Sequence, residues 1–585
     1  MDGLPLVGTQ PVLPGFTPPS TRPIGRRLPR PALPGRCRGP EGALARANGL
    51  LVGTWQLATF PPVSIGLDPT WREDPLHDRN WQSKLHSLMP VLDLLEAWVV
   101  TGDARYYDRA AFILVDWSEE NPRVGSPSEW SWNPLSAGLR GTVYACAAPY
   151  FPRAWMNAAL DVHGEALSDP AVYAGEGNYA LNQSIGLLEV GAARGRRDWE
   201  ELAAARINSL IGRSVDAQGV TNEQSPAYGS YNLSRYRVAE TRMVELGLPV
   251  APEFSRLDLI PPFLAQATLP NGYLEQLGDT DYAPAPAWTG TDSEYVATAG
   301  RAGTRPDSPY ALYDAGYLFA RTGWGEDREF EDEVYTSLRF GPAPIIHGHA
   351  DGTSLTYYGY GSRLLVDPGT YTYNSDAFRT FFKGRTAHNV VSVDGLAWNW
   401  AAPTTLVAHA STSTMIDATM TTSGYAGVQQ QRHVTFSRNL QYLLVDDRAT
   451  STTARTFRQL WHLDDKAGPV LSADGFRTTH QRGNLLVRQL IAGSTTRVVS
   501  GATAPIQGWV SYTYGVKVPA PVVEVAKTGT SVRYLTLLVP AEGTPAATVS
   551  ALTVTSTGYA VTVTVGSHAE RVVVNGTAAS ITTIR

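Results

Sequence analysis

The sequence predicts an α+β multidomain chain, helical in its first half and built of antiparallel strands in its second. Two observations carry this. Apolar residues recur at intervals of three and four from about Gly42 to about Thr298. From about Tyr310 to Arg585 the period drops to two, and β-branched and aromatic residues cluster between turn dipeptides. A chain of 585 residues also exceeds one core of ordinary size. The expected organisation is a Pro- and Gly-rich arm over residues 1–41, a helical domain over 42–305 and an antiparallel β domain over 306–585.

The arm has no periodic apolar pattern and reads as extended chain or linker. In the helical part, Leu85, Leu88, Leu92, Leu95 and Val99 form one stripe of an amphipathic helix. Leu181, Ile185, Leu188 and Ala192 repeat the spacing, and the Ala-rich stretch EELAAARINSLIGR follows it. Gly102-Asp103 and Gly195-Arg196-Arg197-Asp198 punctuate these helices. Serial helical hairpins of this kind build an α/α toroid or an α-solenoid, and no fixed short period favours the latter. In the second half, Val561, Val563 and Val565 alternate with Thr562 and Thr564. TSLTYYGYGSRLLVDPG, HNVVSVDG, LQYLLVDDR and ERVVVNG have strand composition and end in turns. Strands in series without intervening helices predict antiparallel sheets stacked as a sandwich.

Composition narrows the function. Hydrophobic residues are 43% and charged residues 17%, which excludes a disordered chain. Aromatics reach 10%, with 15 Trp and 27 Tyr; this suits a groove for flat polar ligands such as sugars, and equally a Trp-rich helical core. The formal net charge of −6 argues against a nucleic-acid partner. No apolar run is long enough to span a membrane. Two cysteines, Cys37 and Cys146, exclude a disulfide framework and leave room for one bridge. The first residues lack the basic start and apolar run of a secretion signal.

Three clusters carry chemistry. In Gly177-Asn178-Tyr179-Ala180-Leu181-Asn182-Gln183, Asn178 and Asn182 share a face of a helix start, where amides can donate to a carboxylate or simply cap and solvate. In Glu223-Gln224-Ser225-Pro226-Ala227-Tyr228-Gly229-Ser230-Tyr231, Pro226 suits a first helical turn with Ser225 as its cap, and Tyr228 and Tyr231 share a face. A tyrosine so placed serves as acid or base, or as a half-buried rim residue. The third cluster is His347-Gly348-His349-Ala350-Asp351. As alternate residues of a strand, His347, His349 and Asp351 would converge, and imidazoles with a carboxylate suit Zn²⁺. Gly352 follows Asp351, so the HxHxDH metal motif of the metallo-β-lactamases is incomplete.

In order along the chain, "GNY…NQ", "EQSPAYGSY", "HGHADGTSL…LLVDPGTYTY" and "RTAHNVVSVDG" resemble the heparinase II/III-like polysaccharide lyases over roughly residues 50–470. WQSKLHSL, from Trp81 to Leu88, resembles their N-terminal helical segment. The resemblance implies an α/α toroid (incomplete barrel) followed by an antiparallel β-sandwich. It implies β-elimination on a uronic-acid polysaccharide, a glycosaminoglycan such as hyaluronan, chondroitin or heparosan, or alginate. Asn178 would neutralise the uronate carboxylate, Tyr228 would protonate the leaving oxygen and could also abstract the C5 hydrogen of one epimer, and His347 would act as base for the other epimer or neutralise the carboxylate. Gln183, Arg140, Asn182, Tyr231 and Arg379 would contact sugar, with Lys383 and Arg385 beside Arg379 as further candidates for sulfate. His349, Asp367 and His388 would hold a zinc ion that fixes the strands carrying His347, while three protein ligands with an open fourth position would also suit a catalytic zinc. Many members carry His where this chain has Tyr179, and relatives often have His at the position of Gly229, so the uronate polymer, its epimer and the oligomeric state stay open. A polymer substrate favours a secreted or periplasmic protein. Two other classes are compatible with the residues: a toroid glycoside hydrolase using Glu223 with Asp279 or Asp281, and a non-catalytic carbohydrate-binding protein.

Overall fold

The computed structural model describes residues 32–584, so residues 1–31 of the expected arm lie outside the described residues. The chain forms two compact units. One comprises the described residues up to Ser214 together with Ser234–Phe254; the other comprises Val215–Leu233 and the described residues from Ser255 onward.

The first unit is helical: α1 (Ala43–Leu50), α2 (Arg79–Leu85), α3 (Pro90–Thr101), α4 (Ala104–Glu120), α5 (Pro134–Ala147), α6 (Ala154–Ser168), α7 (Gly177–Arg194), α8 (Arg197–Ser214) and the later turns of α9 (Pro226–Glu245). Successive helices pair, α3 with α4, α5 with α6 and α7 with α8, while alternate helices α1, α3, α5 and α7 pack on one another. This two-layer pattern is that of helical hairpins in an α/α toroid. Where α5 meets α7, a Cβ on Gly138 would strike the Asn182 carbonyl and a Cβ on Gly186 would strike the Gly138 carbonyl. Glycine there lets the two backbones touch.

The stripe read across Leu85 to Val99 belongs to two helices rather than one. Leu88 takes a φ of 54°, and Pro90 then opens α3 at its first position. Proline cannot extend α2 but is well suited to begin a helix. Side chains cap the neighbours: Asp78 accepts from the Asn80 and Trp81 amides at α2, Asp103 from Arg105 at α4, and Asn133 from Leu135 at α5. Much of the tryptophan forms core, with Trp55, Trp71, Trp81 and Trp117 fully buried. Cys37 is bonded to Cys146 across 109 residues, which ties residues 35–37 to α5. Bonds of this kind persist in oxidising compartments.

The second unit holds the first turns of α9, two short helices α10 (Ile260–Gln266) and α11 (Asp292–Ala297), a helix α12 (Ala377–Lys383) and the sheets. Five strands, from Tyr310–Tyr313 to Ser362–Leu365, pair in sequence order as one antiparallel sheet. A ten-stranded sheet is centred on two long strands, Leu443–His462 and Val522–Glu542. Four more strands, Thr548–Val554 to Ala578–Thr583, form a third sheet.

The expected sandwich is therefore three layers. The reason lies in the central strands. Leu443, Val445, Tyr534 and Leu538 face a core shared with the five-stranded sheet. Their neighbours Tyr442, Leu444, Leu535 and Leu537 face a second core shared with Val561, Val563 and Val572 of the third sheet. Strand side chains alternate between faces, and both sets here are apolar.

Two stability tests follow from the first unit. His86 is pushed down to about 3 by burial, with the Arg140 charge adding to the effect. Its folded value lies below the ordinary 6.5, so the unfolded chain takes up the proton first as pH falls. Stability present above pH 6.5 is then lost progressively toward pH 3. Denaturant midpoints measured across this range should fall, and less steeply in His86→Gln; equal slopes would refute the assignment. Cys146→Ser should lower stability by about 5 kcal/mol for a closed loop of this size, read as a lower Tm that reductant no longer changes.

Candidate functional site

In the second unit the chain leaves α10 and continues as the irregular segment Glu275-Gln276-Leu277-Gly278-Asp279-Thr280-Asp281. Gly278 takes a φ of 59°, and a Cβ there would press on the carbonyls of Gln224 and His347. Only glycine allows that approach. The Asp279 amide then donates to the His347 carbonyl at 2.9 Å. Ser225 does not cap α9 as its position suggests. Its hydroxyl binds the Asp279 carbonyl at 3.0 Å and meets the Thr280 hydroxyl at 2.8 Å. Thr280 Oγ1 takes over the cap, accepting from the Ala227 amide at 3.3 Å.

The segment from His347 to Asp351 is a loop with turns, not the expected strand. Ile346 enters it at a φ of 46°, a left-handed conformation that a β-branched residue adopts only under constraint. The constraint is visible: Lys383 Nζ holds the Ile346 carbonyl at 2.9 Å, and the Gly348 amide holds that of Ile345 at 2.7 Å. As a result His347 and His349 both reach Asp279, while Asp351 turns away and accepts from Arg339 at 3.0 Å.

Asp279 is the hub. Its Oδ2 lies 2.8 Å from His347 Nδ1 and its Oδ1 lies 3.0 Å from His349 Nε2. The two terminal nitrogens of Arg379 donate to Oδ1 and Oδ2 at 2.6 and 2.7 Å. Burial raises an aspartic acid, but hydrogen bonds from His347, His349 and Arg379 outweigh it and hold Asp279 well below the usual carboxylate range. Arg379, one of the expected sugar contacts, has its fork committed to this carboxylate.

Around His347 the remaining groups close in. The Tyr228 ring stacks on the imidazole with centroids 3.4 Å apart and planes 12° apart. The Tyr228 hydroxyl meets the Tyr373 hydroxyl at 2.9 Å, and Tyr231 packs edge-on against Tyr228 at 6.2 Å. His347 Nε2 is 3.4 Å from Glu223 Oε2, and Asn232 donates to Glu223 Oε1 at 2.9 Å. Burial, with Asp279 and Glu223 nearby, drives the Tyr228 phenol well above its ordinary value of 10, although the Tyr373 hydroxyl pulls the other way. The phenol is therefore a proton donor at neutral pH. By sequence alone, Asp279 and Glu223 stand out only as hydrolase carboxylates, and Tyr373 lies in the DPGTYTY stretch with no signal of its own.

His349, Asp367 and His388 are buried, and one ligand atom from each lies within 4.8 Å of the others. His388 Nδ1 binds Asp367 Oδ2 at 2.9 Å, and His349 Nε2 binds Asp279. The atoms left over, His349 Nδ1, Asp367 Oδ1 and His388 Nε2, are all buried without a hydrogen-bond partner. Buried polar atoms rarely go unpaired. Three of them converging, each on a residue whose other polar atom is held by a neighbour, fit a bound metal ion with its outer support in place.

The other candidates lie in the first unit. Asn178, in the first turn of α7, is 6% exposed. Asn182 lies one turn on and donates to the Asn178 carbonyl at 2.7 Å. The Gln183 amide is committed to the loop before α7, accepting from Ala174 at 2.8 Å and donating to Val172 at 3.0 Å. Arg140 is fully buried; it donates to His163 Nε2 at 2.8 Å and to the His86 carbonyl at 2.7 Å, and it stacks on Trp117 at 3.5 Å. Its surroundings are core.

Metal analysis of the purified protein should find about one divalent ion per chain, since one tetrahedral centre uses these three ligands and a fourth position. His388→Ala should lose the ion and lower Tm; full retention of metal would remove the site.

Residues 41–246 match the family model Heparinase II/III N-terminus, and residues 304–550 match Heparinase II/III-like, C-terminal. The chain is 20% identical to Heparin-sulfate lyase from Bacteroides thetaiotaomicron, over 83% of this chain and 76% of that protein. The solved structure of Heparinase III is similar with a TM-score of 0.77 and 18% identity, over 95% of this chain and 94% of that one. A mutant of heparan sulfate lyase HepC from Pedobacter heparinus is similar with a TM-score of 0.68 and 20% identity, over 94% and 90%. At such identities the structural likeness bears on fold. The two family matches, in order and together spanning most of the sequence, show that this chain belongs to the heparinase II/III-like family.

Proposed function

We propose that the protein is a polysaccharide lyase that cleaves a uronic-acid-containing glycosaminoglycan by β-elimination. The observation that carries this reading is the stacked pair of Tyr228 and His347, a buried phenol against an imidazole. The names of the relatives, heparin-sulfate lyase and heparan sulfate lyase, support the substrate class.

The chemistry needs three tasks done at once. The C5 hydrogen of a uronate is only weakly acidic, so negative charge growing on the carboxylate has to be stabilised. A base takes the C5 proton, the electron pair forms the C4=C5 double bond, and the C4–O4 bond breaks. An acid then protonates O4, and no water is consumed. Tyr228 fits the acid, because its surroundings keep the phenol protonated. His347 fits the base: donation from Nδ1 to Asp279 leaves Nε2 with the lone pair, and the carboxylates of Asp279 and Glu223 stabilise the charge the ring gains. Asn178 takes the carboxylate on the strength of its motif, with Asn182 beside it and Tyr231 as a sugar contact. Arg379 acts on this reading as a positioning residue for Asp279, and Arg140 and Gln183 as supports of the helical unit.

His349, Asp367 and His388 would hold zinc, which their donor set suits. The ion would supply rigidity to the loop that carries His347. An elimination needs no activated water. The disulfide agrees with a protein that meets its polymer outside the cytosol.

Incubation with a panel of uronate polymers should produce a conjugated double bond absorbing near the ultraviolet edge. Hydrolysis would give reducing ends without it. Tyr228→Phe should lower turnover by about 10²–10⁴-fold with an unchanged thermal midpoint. Full activity in that variant would refute the assignment of the acid.

A further inference from the structure

Tyr373 stands beside the stacked Tyr228 and His347 and is held from several sides. Its ring packs edge-on against His347, with centroids 5.9 Å apart. Its amide donates to the Tyr514 hydroxyl at 3.1 Å, and the two rings lie 5.3 Å apart. Tyr514 sits at the turn between the paired strands Trp509–Thr513 and Val516–Pro519, and its own amide donates to Asp281 Oδ2 at 3.3 Å. The guanidinium of Arg379 lies over the Tyr373 ring, 5.1 Å from its centre. That same guanidinium forks onto Asp279. Asp279 therefore has two arms, one through His347 and one through Arg379 to Tyr373.

The hydroxyls of Tyr228 and Tyr373 are 2.9 Å apart, and among the described residues neither meets another partner. Two hydroxyls carry two hydrogens, and one hydrogen bond uses one of them. The direction of that bond decides which phenol keeps a proton to give. Burial raises both phenols, and Asp279 bears on both. Beyond that their surroundings differ: the Glu223 carboxylate acts on Tyr228, whereas the Arg379 cation acts on Tyr373. A phenol under a cation is the better donor, and one beside two carboxylates is the better acceptor.

We propose that Tyr373 is a positioning residue for the acid: its hydroxyl donates to Tyr228 Oη, leaves the Tyr228 proton free for O4 of the substrate, and holds the phenolate that remains when this proton has gone. The catalytic meaning rests on the lyase reading; the direction of the hydrogen bond does not. In the step itself the C5 proton goes to His347, the electron pair forms the C4=C5 bond, O4 leaves and takes the Tyr228 proton. The proton on His347 and the vacancy on Tyr228 are then levelled through solvent once the products depart.

The test uses the full chain, Tyr373→Phe, Tyr228→Phe and the double variant. On a polymer that the unaltered protein cleaves, Tyr373→Phe should lower kcat about tenfold or more, the effect of losing a hydrogen bond to a charged group, with KM and Tm nearly unchanged. In the Tyr228→Phe background the same substitution should cost nothing further, because Tyr373 acts through Tyr228; an additional loss would overturn the proposal. A uronate with fluoride at C4 carries a leaving group that needs no acid. Tyr373→Phe should slow fluoride release far less than polymer cleavage, and equal losses would make Tyr373 a mere support of His347. Unchanged kcat on the polymer overturns the proposal and leaves the lyase reading standing.

The hydrogen bond is also read without turnover. With difluorotyrosine in place of Tyr228, its fluorine NMR signal should titrate at higher pH when Tyr373→Phe is added, because the phenolate loses its donor. An equal or lower titration pH overturns the assigned direction. If the unaltered protein yields no unsaturated product from any uronate polymer, the lyase reading fails, and this titration alone decides whether Tyr373 donates to Tyr228.

Discussion

A carboxylate withdrawn from water is costly unless each of its lone pairs finds a donor, and Asp279 finds four. Two come from the imidazoles of His347 and His349 and two from the fork of Arg379. Those donors stand on different segments, the loop before the second unit's central sheet strands and the helix α12. The backbone of Asp279 is held as well, by His347 and Ser225. One side chain therefore fixes the spacing between the start of α9, the histidine loop and α12. The contrast with Asp281, two residues on, shows that the donors decide the outcome: there burial prevails and the carboxyl is raised.

The strands under the histidine loop are tied by a second buried polar group. Arg432, fully buried, forks onto Asp447 at 2.7 and 2.8 Å and donates to the carbonyls of Thr353 and Asn389. The Asn389 side chain donates to Leu355 and Val366 and accepts from the His462 amide. His388 and Asp367 stand beside these anchors. Hydrophobic layering alone sets the distance between sheets but not the register of a loop, and satisfied buried networks supply that uniqueness. The convergence of three orphaned ligand atoms then follows from a frame fixed on all sides.

Much of this was legible in the sequence because it is periodic or clustered. The change from intervals of three and four to alternation marked the passage from helices to sheets, and the last helix before the sheets ends at Ala297 while the first strand of the sheet region starts at Tyr310. The Leu181–Ala192 stripe lies within α7. What escaped has no period. Leu88 breaks a continuous stripe through one backbone angle, which no apolar spacing reveals. The third sheet depends on central strands that are apolar on both faces, and such runs resemble any buried strand. Asp279 sits in an irregular GDTD segment, far in sequence from every group it binds. Only its proximity in space, through an obligatory Gly278, distinguishes it from an ordinary loop aspartate. Tyr373 escaped for the same reason, since its partner Tyr228 is 145 residues away.

The same distribution of charge bears on the choice between elimination and hydrolysis. A glycosidase needs two carboxyl groups free to give and take protons across a sugar. Here Asp279 has both oxygens occupied by four donors, and Glu223 is engaged by Asn232 and faces His347. On the proposed reading, the carboxylates of this site serve as anchors and as counter-charges. The groups left with labile protons are a phenol and an imidazole stacked on each other. A phenol held above its ordinary range gives up a proton only to an oxygen that has become strongly basic, and an alkoxide leaving C4 is such an oxygen. The His347 imidazole lies between the carboxylates of Asp279 and Glu223. On the proposed reading, the pair would move one proton off C5 and one onto O4.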